Sequence, residues 1–295
     1  MKTRLWTINF AAFKRIQGYN MRNNFDEFIN EVICGDSAVI LKKIPDKSID
    51  CIITSPPYDN LRDYKGFTFI FENIATEICR VLKDGGVLIW IVGDATIGGS
   101  ETLTSFKQAL YFQSLGLNCH DTMIYQKNNF SNPSRTRYHQ IFEYMFIFSR
   151  GAPKTFNPII DRKNVYVGYS SLGENTARKA DGSFSTNRKR TIGEYGMRYN
   201  IWKGNTAGQE NMCKHLSHPA QFPLWLAKDH ILSWTKENDI VLDPFCGSGT
   251  TGCACKELKR RFIGIEIEDT YCQIARERIK NHKYQYESAL QLPLE

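Results

Sequence analysis

Ile240-Val-Leu-Asp-Pro-Phe-Cys-Gly-Ser-Gly-Thr-Thr-Gly252 is the stretch that decides the fold. A short apolar run of strand type ends at Asp243, and glycines at 247, 249 and 252 lead into a helical stretch that runs through Leu258. Glycines in such a turn let backbone come close to a ligand, and the helix behind it offers free N–H groups and the positive end of its dipole. No Gly-Lys-Ser or Gly-Lys-Thr follows, so this is not a phosphate-binding P-loop. Nineteen residues beyond Gly247, the next strand, Phe262-Ile-Gly-Ile265, ends in Glu266. An acid at the end of the second strand is where dinucleotide-type sites hold a ribose hydroxyl pair. Loop and acid together imply a ligand that carries a nucleoside. Counting Gly252, the glycines read Gly-x-Gly-x-x-Gly, so spacing alone leaves a nicotinamide cofactor open.

Outward from this unit, apolar strands alternate with amphipathic segments. Strands are expected at Val32–Cys34, Ile49–Thr54, Val87–Val92, Thr122–Gln126, Glu143–Ser149, Asp239–Leu242 and Arg261–Ile267. Helices are expected at Ser37–Ile44, Phe69–Leu82, Leu103–Ser114, Pro219–Lys236 and Thr270–His282, besides the one after the glycine loop. In the second of these, Ile70, Ile74, Ile78 and Leu82 share one face. Such alternation predicts an α/β fold with a parallel sheet covered on both faces. Residues 151–208 break the pattern with eight glycines and few long apolar runs, which predicts an inserted, loop-rich lobe.

The remaining composition excludes other classes. Of 295 residues, 42% are hydrophobic and 23% charged, which is ordinary globular usage rather than that of a disordered or fibrous chain. No apolar run approaches membrane-spanning length and no signal peptide opens the chain, so a cytoplasmic address without membrane attachment is expected. Residues 1–25 are basic, with no acid before Asp26, and read as a dispensable leader or as a stretch ahead of a true start at Met21. Nine cysteines, scattered without metal-ligand spacing, read as reduced core thiols, and no metal site is expected. The net charge of +7 is local: residues 150–203 hold eleven Lys or Arg against four acids, matching the whole excess. That is the footprint of a surface that meets a polyanion.

Thr54-Ser-Pro-Pro-Tyr58 narrows the ligand question. The strand Ile49–Ile53 delivers it to the carboxyl edge of the sheet, where open α/β folds bind ligands. Two successive prolines withhold N–H donors and fix the loop, so carbonyls and the Ser55 hydroxyl point outward. Acceptors on the hydrogens of an aromatic exocyclic amine would draw its conjugated nitrogen towards tetrahedral geometry, and Tyr58 offers a face for stacking.

The two motifs in this order resemble the DNA amino-methyltransferases that use S-adenosylmethionine (SAM), in the family's β arrangement, with the catalytic motif first and the glycine motif last. The likeness runs from about Val32 to His282, weakens in 151–208, and implies a Rossmann-like, mixed but mostly parallel seven-stranded sheet with an inserted target-recognition region. It implies that Ser55, Pro56, Pro57 and Tyr58 form the catalytic loop. It implies further that Asp243, Pro244, Phe245, Cys246, Gly247, Ser248, Gly249 and Thr250 cradle the methionine part of SAM and that Glu266 binds its ribose. Asp36 matches an acid beside the adenine, and His218 belongs to a segment that closes over the cofactor. On this basis residues 26–150 form the catalytic half, 151–217 the target-recognition region and 218–295 the cofactor-binding half. Arg135 and Arg137 are candidates to hold phosphates beside a flipped base, and Arg188, Lys189 and Arg190 to contact the backbone of double-stranded DNA.

The absence of any Pro-Cys dipeptide excludes carbon-5 cytosine methylation by the usual cysteine nucleophile. Family members with Ser at the first motif position mostly methylate cytosine N4, those with Asp adenine N6, so Ser55 favours cytosine. Alternatives are adenine-N6 methylation, an RNA substrate, or a non-catalytic DNA-binding relative, against which the intact motifs count. A cognate restriction endonuclease as partner, and a choice between monomer and homodimer, stay open.

Overall fold

The computed structural model describes residues 25–57, 70–130, 135–170, 175–178, 181–187, 191–206 and 223–282. Tyr58, Arg188, Lys189, Arg190, His218 and all of the leader but Phe25 lie outside them.

Eight strands form one sheet: β1 (Glu31–Cys34), β2 (Ile49–Thr54), β3 (Leu82–Val92), β4 (Asn118–Lys127), β5 (Phe142–Ser149), β6 (Ile201–Gly204), β7 (Ile240–Asp243) and β8 (Arg261–Glu266). Their spatial order is β1-β8-β7-β2-β3-β5-β4-β6. All neighbours pair in parallel except β5, which runs antiparallel to both β3 and β4. Mixed and mostly parallel is therefore right, while the expected count of seven strands falls one short. The eighth is β6, inside the segment predicted to be loops. It is four residues long and buries one large side chain, Trp202, between exposed Ile201 and Lys203. Too short to show periodicity, it is recruited as an edge strand by its pairing with β4.

Alternation along the strands sends side chains to two separate cores. Cys51, Ile53, Val87, Ile89, Ile91, Met145 and Ile147 face α4 (Leu224–Trp234), α5 (Thr250–Glu257) and α6 (Asp269–Asn281). Ile52, Leu88, Trp90, Val92, Phe146 and Phe148 face α1 (Ser37–Ile40), α2 (Phe71–Val81) and α3 (Thr104–Ser114). Burial on both faces is why these strands read as continuous apolar runs. The expected α2 face is half right. Ile74 and Ile78 are buried, but Ile70 precedes the helix and is exposed, and Leu82 already belongs to β3. The expected helix from Ser37 is also shorter, giving way to a 3-10 turn at Leu41–Lys43.

The thiols divide similarly. Cys51, Cys79, Cys246, Cys253, Cys255 and Cys272 are buried, whereas Cys34 and Cys119 are exposed, against the expectation of core thiols throughout. Among the described residues no helix is long and apolar enough to cross a membrane, and no group of His, Cys, Asp and Glu could hold a metal ion.

The direction in which successive strands are added across the sheet reverses between the parallel neighbours β2 and β7. From β2 the chain goes to β3 on one side, and from β7 to β8 on the other. Such a switch point opens a crevice at the carboxyl ends of the strands.

Candidate active site

Four neighbouring strands end at that crevice, and the predicted residues end with them. Asp36 follows β1, Ser55 follows β2, Asp243 closes β7 and Glu266 closes β8. Hydrogen bonds draw the ends together: Gly35 N–H donates to the Glu266 carbonyl at 2.9 Å, and the Ser37 hydroxyl donates to the Pro244 carbonyl beside Asp243. Asp36 itself is exposed and caps α1, its Oδ1 accepting from the Ala38 N–H at 2.8 Å.

The glycine loop is shaped from both sides. Gly247 and Gly249 adopt left-handed backbone (φ +49° and +82°), which a side chain would strain. At its front, Glu266 Oε2 accepts from the Gly247 N–H and Oε1 from the Glu268 N–H, both at 3.0 Å. Burial raises the Glu266 carboxyl above its ordinary value, while these backbone donors act in the opposite direction. Behind the loop, the Arg278 guanidinium of α6 donates to the Ser248 hydroxyl at 2.9 Å and to the Thr250 hydroxyl at 3.0 Å. The hydroxyls of Ser248 and Thr250 are thus buried against protein. Cys246 packs under Gly264, with its thiol pushed well up by burial, which makes it a packing group rather than a nucleophile.

Asp243 is buried, at 1% exposure, and is the hub of the crevice. Its Oδ1 accepts from the Thr54 hydroxyl at 2.7 Å and the Phe245 N–H at 3.1 Å, and its Oδ2 from the Thr251 hydroxyl at 2.6 Å. Burial pushes its pKa up to about 6, against these three hydrogen bonds, and nearby Glu266 pushes the same way as burial. Thr54 and Thr251 stand inside the two quoted motifs without an assigned role, and Arg278 stands outside them. The Thr54–Asp243 and Arg278–Ser248 bonds span 189 and 30 positions, so no local pattern marks them.

Ser55 and Pro57 are partly buried and Pro56 fully so, at the β2 end of the crevice. The loop between β4 and β5 lies on the same edge, because β5 starts where β4 ends. It carries exposed Arg135 and also Arg137, whose guanidinium donates to the Gly99 carbonyl at 2.7 Å in the hairpin Thr96–Glu101. Within the basic stretch, two cations are already paired with acids: Arg150 with Asp84 at 3.2 Å, and Arg198 with Asp161 and Asp229.

Comparison with known proteins converges on one family. A model described as DNA methylase, of N6/N4 type, matches residues 49–277. The orphan methyltransferase M.BamHII of Bacillus amyloliquefaciens is 51% identical over 244 residues, spanning 82% of this chain and 92% of that protein. The solved M1.HpyAVI–SAM complex is 26% identical with a TM-score of 0.54, covering 84% of this chain and 98% of that one. The PvuII DNA methyltransferase (cytosine-N4-specific) shares the fold, with a TM-score of 0.61 at 19% identity over 85% of this chain and 93% of that one. With a model match through both halves of the crevice and a relative covered almost end to end, the chain belongs to the N6/N4 family of DNA methylases.

Proposed function

We propose that the chain transfers a methyl group from SAM to the N4 amine of a cytosine swung out of duplex DNA. The observation that carries this is the junction at the switch point, where the Ser55-Pro56-Pro57 turn and the 243–250 loop meet through the Thr54–Asp243 hydrogen bond, with Glu266 one strand away. The cofactor is also supported by M1.HpyAVI, which has been solved as its SAM complex.

The residues present fit SAM. The Glu266 carboxylate accepts backbone N–H groups of Glu268, Gly247 and Ile267, and its roughly four acceptor sites leave room for a ribose diol. Asp36 stands exposed beside it, and the left-handed glycines leave the loop without side chains where the methionine part would pass. When bound, SAM supplies an electrophilic methyl group on its sulfonium. The chain supplies the rest. Ser55 Oγ and the Pro56 carbonyl accept the two hydrogens of the cytosine amine, drawing its lone pair out of conjugation and towards the methyl carbon. Transfer would break the methyl–sulfur bond, its electron pair staying on sulfur, and one of those amine hydrogens would leave to water as a proton. Tyr58, next in sequence, gives the base a stacking face. Extracting the base takes a few kcal/mol, and exposed Arg135 would hold the backbone beside it. A neutral hydroxyl at position 55 supports cytosine over adenine. The site needs only SAM and DNA, so no endonuclease enters the proposal.

Calorimetric titration with SAM tests the assignment. Saturable binding is expected for the parent and for Ser55→Ala, with affinity lowered at least about tenfold in Glu266→Ala, the loss of about 1.4 kcal/mol from a charged hydrogen-bonding group. Parent-like binding by Glu266→Ala would remove Glu266 from the cofactor site.

A further inference from the structure

Resting on the methyl-transfer function proposed above, we infer that Thr54 is a positioning residue: through Asp243 its hydroxyl sets the Ser55-Pro56 acceptors against the glycine loop. The backbone ladder between β2 and β7 runs through Val241↔Cys51 and Leu242↔Ile52. One residue further on β7, and two further on β2, the strands meet through side chains, with the Thr54 hydroxyl donating to Asp243 Oδ1 at 2.7 Å. The same carboxylate accepts from Thr251 at 2.6 Å, in the first turn of α5, and from the Phe245 N–H at 3.1 Å. Three segments thus share one carboxylate: the strand end that carries Ser55, the loop from Pro244 onward, and the start of α5.

Thr54, Asp243 and Thr251 are almost wholly buried, at 0%, 1% and 0% exposure. A buried carboxylate keeps its donors because releasing one exposes charge to an apolar surround. The bond therefore resists the sliding of β2 against β7 that would change the distance between acceptors and loop. Thr54 touches neither base nor cofactor in this scheme; it acts through Ser55, to which it is joined by one peptide bond. Methyl transfer needs the reacting atoms aligned at about 3–3.5 Å, and an error of about 1 Å costs on the order of 100-fold in rate. A hydrogen bond that fixes one loop on the other therefore shows in the rate more than in either binding constant.

The test is Thr54→Val, which replaces the hydroxyl by a methyl of similar size, with Thr54→Ser as the rescue and Thr54→Ala as a second deletion. Single-turnover transfer of labelled methyl from SAM to duplex DNA, the KM for DNA and calorimetric SAM affinity are measured on each folded variant. The expected result is a transfer rate about 10- to 100-fold lower in the valine and alanine variants, with SAM affinity and KM within about threefold of the parent and most of the rate restored by serine. A parent-like rate in Thr54→Val overturns the proposal. So does a loss of SAM affinity in step with rate, failure of serine to rescue, or failure of both deletions to reach the native circular dichroism spectrum. A parent protein that neither binds SAM nor methylates DNA would instead overturn the proposed function, which separates the two failures.

Discussion

At the scale of single residues, Asp243 has two parts in the proposed mechanism, of which the sequence shows one. Its place at the end of an apolar run before Pro-Phe-Cys-Gly marks it as part of a ligand loop. Its link to Thr54 spans 189 positions and leaves no trace in local sequence. The carboxyl also makes a pH prediction. Burial is the largest influence and raises its pKa to about 6; the hydrogen bonds from Thr251, Thr54 and the Phe245 N–H lower it, and Glu266 raises it. Folded protein therefore holds this proton more tightly than unfolded chain. The stabilisation it gives is full below the ordinary carboxyl value of about 3.9 and is lost as pH rises through about 6. If the ionised form is the one that accepts both threonine hydroxyls, methylation should fall on the acid side with a limb near pH 6. Thr251→Val removes a donor that favours the ionised form, so its limb should move to higher pH in a rate–pH profile. A limb that stays in place would mean Asp243 does not govern the acid side.

Among the elements, the glycine loop and the two helices behind it form the part most open to structural test. A Cβ at Gly252 would lie 2.3 Å from Ile279 Cδ1 and 2.9 Å from the Phe262 ring. The isoleucine end can swing away but the ring sits under the sheet, so Gly252→Ala should destabilise by about 1–3 kcal/mol, as overpacking does. Urea denaturation gives that figure directly, and an unchanged midpoint would contradict the packing described. Arg278→Met should leave the fold in place but free the hydroxyls of Ser248 and Thr250, weakening SAM binding several-fold in calorimetry; unchanged affinity would show that the loop holds its shape unaided. Element legibility followed pattern length. Strands buried on both faces and helices of eleven residues announce themselves, although their ends shift. The start of α3 is one such end: Leu103 takes left-handed backbone (φ 54°), and Asp94 from just beyond β3 accepts from the Ser105 N–H and hydroxyl at 2.8 and 2.6 Å. A partner in another element is invisible to a local cap rule. Strand β6 escaped because four residues carry no period, and its place is set by β4.

For the whole molecule, the fold class and the convergence of two motifs on one crevice were legible, because β-α-β order dictates which strand ends share an edge. The lobe between β5 and α4 was legible only as charge and texture. The eleven cations of residues 150–203 are fewer in effect, since Arg150 and Arg198 are paired with acids. Arg188, Lys189 and Arg190 are proposed to meet the DNA backbone. Neutralising all three should weaken binding of duplex DNA and reduce the log–log salt slope by about 0.9 for each phosphate that is no longer neutralised, with SAM affinity unchanged. An unaltered slope would move the DNA surface elsewhere. The central claim, methyl transfer to cytosine N4, is tested most directly by incubating the purified protein with SAM and unmethylated duplex DNA, digesting to nucleosides and weighing them by mass spectrometry. N4-methylcytosine formed by the parent and absent with Ser55→Ala is the predicted result; N6-methyladenine in its place, or no methylated nucleoside at all, would contradict it.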